Sequence, residues 1–318
     1  MTELAVDQVE LADRAFDLGF ARSYEALKRS VGKVGVLQPL VVRRRLSDGR
    51  CQIVCGFGRA AAAQQANLAT VPAYVLGCET TDFDCLNLAL NDNLGHRRVN
   101  PIEQAIALTK LGQFVDREHL IADYMELPGM RSSGPLLVRA LALMHLTDRL
   151  QLAVAEGRME EKVGAALARL PRDDQERFAC LLDVCRPSVS VVREWAEALL
   201  DISRRDKRSV SEILGTPDIA AILGSGEITD AQRTSALRHH IHNLRYPTLA
   251  QREAQFAKTV SALRLPPSMR LEAAAGFETD EMCLQIRFTN EEQLREAIRI
   301  VDRWFDAPSP LGELWQNR

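Results

Sequence analysis

The chain has 318 residues, 46% of them apolar and 26% charged, with 43 acidic against 40 basic side chains and a net charge of −3. That length calls for two or three domains with real cores, and the near balance of charge excludes a global basic field, so contacts to nucleic acid must come from local patches. No window reaches the ~18 uninterrupted apolar residues of a membrane span, and the acids of "MTELAVDQVELADRAFDLGF" do not suit a secretory leader.

In chain order, "YEALKRSVGKVG" has helical spacing and stops at Gly35. "QPLVVRRR" and "CQIVCG" read as strands joined by a hairpin at Asp48-Gly49. Next come a helix at "RAAAAQQAN", a strand at "TVPAYVL" and a helix at "TDFDCLNLALNDN". In "VNPIEQAIALTKLG", Asn100 is a cap, Pro101 suits the first helical position and Glu103 completes a capping box. Residues 111–204 read as helix throughout, broken at "LPGMRSSGP", "AEGRM", "LPRDD" and "CRPSVS", a pattern that suits a helix-turn-helix and its supporting bundle. The basic run "RRDKR" at 204–208 marks a connector, and residues 205–246 form a linker with short helices. Residues 247–318 follow the order helix, strand, strand, helix. "MRLEAAAG" and "EMCLQIRF" form a hairpin across "FETD", and Thr289 with Glu292 caps the last helix. A two-stranded sheet buries itself poorly and usually pairs with a copy of itself.

Seven cysteines without a CxxC pair fit reduced, mostly buried thiols in a cytoplasmic protein. Cys51 and Cys55 share a strand face but have no second ligand pair nearby, so they read as small apolar core groups. "HHIH" at 239–242 falls in a helical pattern without acidic or cysteine partners at ligand spacing, and reads as a solvated face.

"CGFGRAAAAQQAN" places Gly56 and Gly58 between an apolar strand and a helix. Such a turn lets a ligand approach the main chain, and the amides of the following helix favour an anion. The alternative is a plain strand-to-helix connection that needs positive φ. Arg59 adds a charged fork suited to phosphate, while Asp92 with Asn93, read by itself, is a helix terminus rather than a metal site.

"GVLQPLVV" at 35–42, "GFGR" at 56–59 and "LNDNLGHRRVNPIEQA" at 90–105 have the order and spacing of three signature boxes, and the chain resembles the ParB family of DNA-partition proteins. The resemblance implies an α+β protein in which 1–110 is a ParB/sulfiredoxin-like nucleotide-binding domain, 111–204 a helical DNA-binding domain and 247–318 an αββα dimerisation domain. It further implies CTP with Mg2+ at Gln38, Gly56, Phe57, Gly58, Arg59, Asn93 and His96, with Asp92 and Asn93 toward the metal. Nucleotide and double-stranded DNA then close a homodimeric clamp, with a ParA-type ATPase as a further partner and no membrane contact. The location is cytoplasmic, at the nucleoid. In the helix-turn-helix segment, Arg131, Ser132, Ser133 and Arg139 are the candidate DNA contacts, and "RRDKR" adds phosphate affinity.

This chain departs from the family pattern. Of three positive charges usual in the second box only Arg59 remains: Gly58 and Ala61 replace the others, and Phe57 replaces an acid. Gly95 and His96 stand where glutamine and arginine are usual. Each lost charge-assisted contact removes roughly 1.5–3 kcal/mol of phosphate affinity unless His96, Arg97 or Arg98 compensates. At most, slow CTP hydrolysis is expected. Two rivals stand beside this reading: a small-molecule kinase on the same N-terminal fold, and a ParB-like adaptor that has lost nucleotide. Sulfiredoxin-like chemistry needs a cysteine in the glycine turn, where this chain has Phe57.

Overall fold

The computed structural model describes residues 1–21, 24–45, 48–94, 99–279 and 281–305. The chain divides into two units, Met1–Ala196 with Ser209–Gly215, and Glu197–Arg208 with Thr216–Arg318.

In the first unit, β1 (Thr2–Ala5) and β2 (Val9–Glu10) precede α1 (Glu25–Val34), which stops at Gly35 with φ at 73°. Then come β3 (Leu40–Arg44), β4 (Cys51–Cys55), α2 (Phe57–Gln65), β5 (Thr70–Leu76) and α3 (Asp82–Leu94). The strands form a mixed sheet in the order β1-β5-β3-β4-β2. β3 and β4 pair antiparallel as the expected hairpin, while β3 runs parallel to β5. All five residues of β4 are buried, as its near-continuous apolar run requires of a strand covered on both faces. Cys51 and Cys55 are part of that core. Ala60, Ala62 and Ala63 of α2 are buried too, small side chains that let this helix lie close to its neighbours.

The helical part of this unit opens with α4 (Pro101–Leu111). The Asn100 side chain accepts from the amides of Ile102 and Glu103, both at 3.0 Å, and the Glu103 carboxylate accepts from the Asn100 amide at 3.2 Å. The capping box is therefore complete. α5 (Arg117–His119) runs straight into a π-helical turn, Leu120–Tyr124, so the apolar helix expected before the Gly/Pro turn is short and irregular. α6 (Gly134–Ala142), α7 (Asp148–Ala155), α8 (Glu161–Leu167), α9 (Arg172–Cys185) and α11 (Val210–Leu214) belong to this unit too, and α10 (Val189–Asp206) begins in it and continues into the second unit from Glu197 on. Phe178 and Trp195 are fully buried.

The run at 204–208 is not the free connector expected from its composition. Arg204 and Arg205 lie in the last turn of α10, where arginine complements exposed helical carbonyls. Arg204 pairs with Asp201, and Arg205 pairs with Asp206 while donating to the carbonyls of Leu244 and Arg245.

The second unit contains α12 (Pro217–Gly224), α13 (Asp230–Arg245), α14 (Pro247–Ala262), β6 (Met269–Ala273), β7 (Met282–Ile286) and α15 (Glu291–Arg303). β6 and β7 form the expected antiparallel hairpin. The cap of α15 differs from expectation by one residue. Asn290, not Thr289, accepts from an amide of the first turn, that of Gln293 at 2.9 Å, and Gln293 rather than Glu292 reaches back to Thr289. Asparagine at that position is as good a cap as threonine, and the shift keeps Leu294 and Ala297 turned inward. Among the described residues, no helix is long and apolar enough to cross a membrane.

Candidate functional site

The glycine turn sits where β4 meets α2. Gly56 takes the left-handed conformation, φ 99°, at the N-cap of α2, and no side chain caps the helix there. Uncapped first-turn amides at a glycine turn are donors for an anion. Around this turn lies a cavity of about 240 Å³, lined by Gln38, Gly56, Phe57, Arg59, Asp92 and Asn93 among others. Six of the sequence-predicted residues, from three separate segments, thus meet at one place. Asp17, Tyr24, Leu27, Val54 and Cys55 complete the lining.

Arg59 is the most constrained of these groups. Its guanidinium donates to the carbonyls of Gln38 at 3.1 Å and Pro39 at 2.9 Å, and lies 3.5 Å from the Asp92 carboxylate. The side chain is only 17% exposed. It clamps the segment before β3 to α2 and α3, and part of its donor set is engaged in doing so. Phe57 is buried and carries the Arg14 guanidinium over its ring at 5.5 Å, so an aromatic core contact stands where an acid is usual in the family.

Gly58 does not line the cavity. A Cβ there would run into the ring of Tyr24, so this glycine makes room for a side chain rather than for a ligand. His96 lies outside the described residues. Asn93 donates from Nδ2 to the Ala89 carbonyl at 2.7 Å within α3.

The Cys55 thiol is pushed up to about 12, first by burial and then by the Asp92 carboxylate, with Arg59 opposing. It stays protonated at neutral pH, which is the wrong state for a nucleophile in this turn.

The residues expected to touch DNA lie elsewhere in the same unit. Arg131 and Ser132 are exposed in the turn before α6, and Ser133 is its N-cap residue by position, with extended backbone and no side-chain bond to the helix. Gly134 and Pro135 open the helix. Proline is at home in a first turn, so the pair suits the start of α6. Leu137 and Ala140 are buried and Val138 is half exposed, leaving Arg139 as the cation of this helix. Arg139 lines a second, shallower cavity together with Glu160, Glu161 and Lys162.

Among the described residues, no three His, Cys, Asp or Glu side chains cluster at metal-binding distance. Magnesium needs less than that, since it keeps several waters and usually takes one or two carboxylates plus substrate phosphates. Asp92, at 36% exposure and in a loose 3.5 Å pair, meets that requirement.

Residues 3–94, which hold the mixed sheet, the glycine turn, Gln38 and Asp92, match the model of the ParB N-terminal domain. The N-terminal part of the chain is thus similar to the ParB N-terminal domain. The probable chromosome-partitioning protein ParB of Pseudomonas putida is 33% identical over 176 residues, 54% of this chain and 58% of that protein. Stage 0 sporulation protein J of Bacillus subtilis is 30% identical over 179 residues, 54% of this chain and 60% of that one. The chain thus spans less than two thirds of the curated relatives it matches. Among solved structures, the C-terminally truncated ParB of Caulobacter crescentus complexed to the centromeric parS site aligns with 26% identity, covering 63% of this chain and 98% of that one, at a TM-score of 0.35.

Proposed function

We propose that this chain is a nucleoid-located DNA-binding partition protein whose N-terminal domain binds CTP with Mg2+ and whose homodimer acts as a nucleotide-gated clamp. The observation that carries this reading is the convergence of Gln38, Gly56, Phe57, Arg59, Asp92 and Asn93 on one cavity at the uncapped start of α2. The α2 amides and Arg59 would take the phosphates, and Asp92 with Asn93 would hold the metal, which neutralises phosphate charge when bound. The relatives named as chromosome-partitioning proteins favour partition over gene regulation or upkeep of a mobile element, and a ParA-type ATPase is the fitting partner.

Binding of CTP, ATP and GTP with magnesium, measured by calorimetry, tests the pocket. CTP should bind best, and Arg59→Ala should weaken it at least ~tenfold by removing the one charged fork of the turn. Unchanged affinity in the variant would move the phosphate site elsewhere. Duplex binding should fall steeply with salt, by a slope of roughly 0.9 per phosphate contacted. Arg131→Ala and Arg139→Ala should lower it. Variants that match wild type on a pool of genomic fragments would leave α6 as scaffold.

One observation favours a second reading. The Arg59 guanidinium already holds two carbonyls and Asp92, as in an adaptor that keeps the fold without nucleotide. A wild-type chain that binds none of the three nucleotides would select it.

A further inference from the structure

Lys110, in the last turn of α4, donates to the main-chain carbonyls of Arg14, Ala15 and Asp17, each at 2.8 Å. That is one acceptor for each of the three ammonium donors. At the other end of α4, the buried Glu103 carboxylate accepts from the Phe20 amide at 3.1 Å, and Asn100 donates to the Phe20 carbonyl at 3.5 Å. Residues 14–20 are therefore strapped along α4, the turn at 14–17 near its C-terminus and Phe20 at its N-terminus. Phe16 and Leu18 of this segment are buried in the core.

One side chain of the strap, that of Asp17, faces the candidate site. Asp17 lines the cavity, and its carboxylate is fixed by the Gly19 amide and by Arg14, both at 2.9 Å. Arg14 in turn covers the Phe57 ring. The cavity's edge at Asp17 thus belongs to a loop without regular secondary structure of its own, tied to α4 by the Lys110 ammonium. Burial lowers the pKa of Lys110, partly offset by Asp17 and Asp13, in keeping with a lysine serving as an internal tie.

We infer that Lys110 is a positioning residue for the nucleotide cavity: it holds the 14–17 turn as a wall, so that access to the cavity is set from α4. The inference rests on reading the cavity as a ligand site. Without the lysine, the Ala15 and Asp17 carbonyls lose this donor, the Arg14 carbonyl keeps only the Asp17 amide at 3.1 Å, and the turn opens more readily.

The full-length chain carries its own reporters. Cys51, Cys55 and Cys85 are all at most 3% exposed, and Cys55 alone of the three lines the cavity. Alkylation by N-ethylmaleimide, followed by peptide mass mapping, gives a rate for each thiol. In Lys110→Met the Cys55 rate should rise at least ~fivefold while Cys51 and Cys85 keep their wild-type rates, as local opening requires. Lys110→Arg, which can donate to the same carbonyls, should restore slow labelling. An unchanged Cys55 rate would overturn the inference, and so would a rise shared equally with Cys51 and Cys85, which marks general loosening. CTP with magnesium should slow Cys55 labelling in the wild type. Failure of that arm alone counts against the nucleotide and leaves the role of the wall to the lysine variants.

Discussion

The two sheets of this chain differ in how far they can close their own cores. In the first, Leu40, Val42 and Ile53 at the centre of five strands have 0% exposure, with helices and flanking strands covering them. In the second, Met282, Leu284 and Ile286 of β7 are only half-buried, and Phe288, Ile298 and Phe305 nearby are 50%, 48% and 70% exposed. The chemistry of the residues is similar; the number of strands is not. Five strands give a central pair with neighbours on every side, whereas a hairpin is all edge and is marginal alone. The difference teaches that two strands cover only part of their apolar surface, Met269 and Leu271 of β6 being buried while β7 stays half-open, and the proposed homodimer would cover more of it.

The largest effect should come from removing the second sheet. If the proposed homodimer forms through the second sheet, truncation after Arg264 should leave monomers at low concentration by sedimentation while the five-stranded sheet stays folded. A truncated chain that stays dimeric would break the contrast outright. Next, Ile53→Ala should cost about 3 kcal/mol in denaturant unfolding, as a fully buried isoleucine does. Leu284→Ala should cost less in the isolated subunit and show mainly as weaker dimerisation. Equal losses at both positions, without change in assembly, would mean that the hairpin closes unaided.

The smallest effect concerns a polar fastening of the first sheet. Burial raises the Asp13 pKa, but the Ala15 amide, Gln52 and Arg45 together hold it below its ordinary value of 3.8. Its carboxylate accepts from Gln52 at 2.8 Å and pairs with Arg45 at 2.5 Å. A depressed carboxylate adds stability that is complete above its unfolded pKa and is lost as pH falls through the folded value. The melting-temperature gap between wild type and Asp13→Asn should therefore be widest at about pH 6 and shrink toward about pH 3. A gap independent of pH would assign the effect to packing.

Signals confined to a few neighbouring residues were the legible ones. The Asn100 and Glu103 box, the Asp48-Gly49 hairpin and the left-handed Gly56 each follow from local backbone chemistry, and each lies where the pattern puts it. β1 and β2 were not anticipated because they are four and two residues long, mixed with acids, and paired only through β5 and β4. Asp17 and Tyr24 escaped notice as cavity residues for a related reason. Nothing in their surroundings marks them, and only the strap along α4 and the start of α1 bring them to the glycine turn. The last helix shows the limit of capping rules. With Thr289, Asn290, Glu292 and Gln293 adjacent, two boxes one residue apart fit the sequence equally well, and the structure takes the cap at Asn290 with Gln293.

The fit of Gly58 under Tyr24 also constrains how this chain departs from the ParB pattern. An arginine is usual at position 58 in the family pattern, yet here the ring of Tyr24 fills the space in which any side chain would begin. Restoring arginine alone therefore places two groups in one volume, and trimming the tyrosine alone leaves a hole with nothing to occupy it. An arginine at position 58 is therefore compatible with this fold only if the Tyr24 ring moves aside or a smaller residue replaces it, so the charge of the turn is coupled to a residue of another segment.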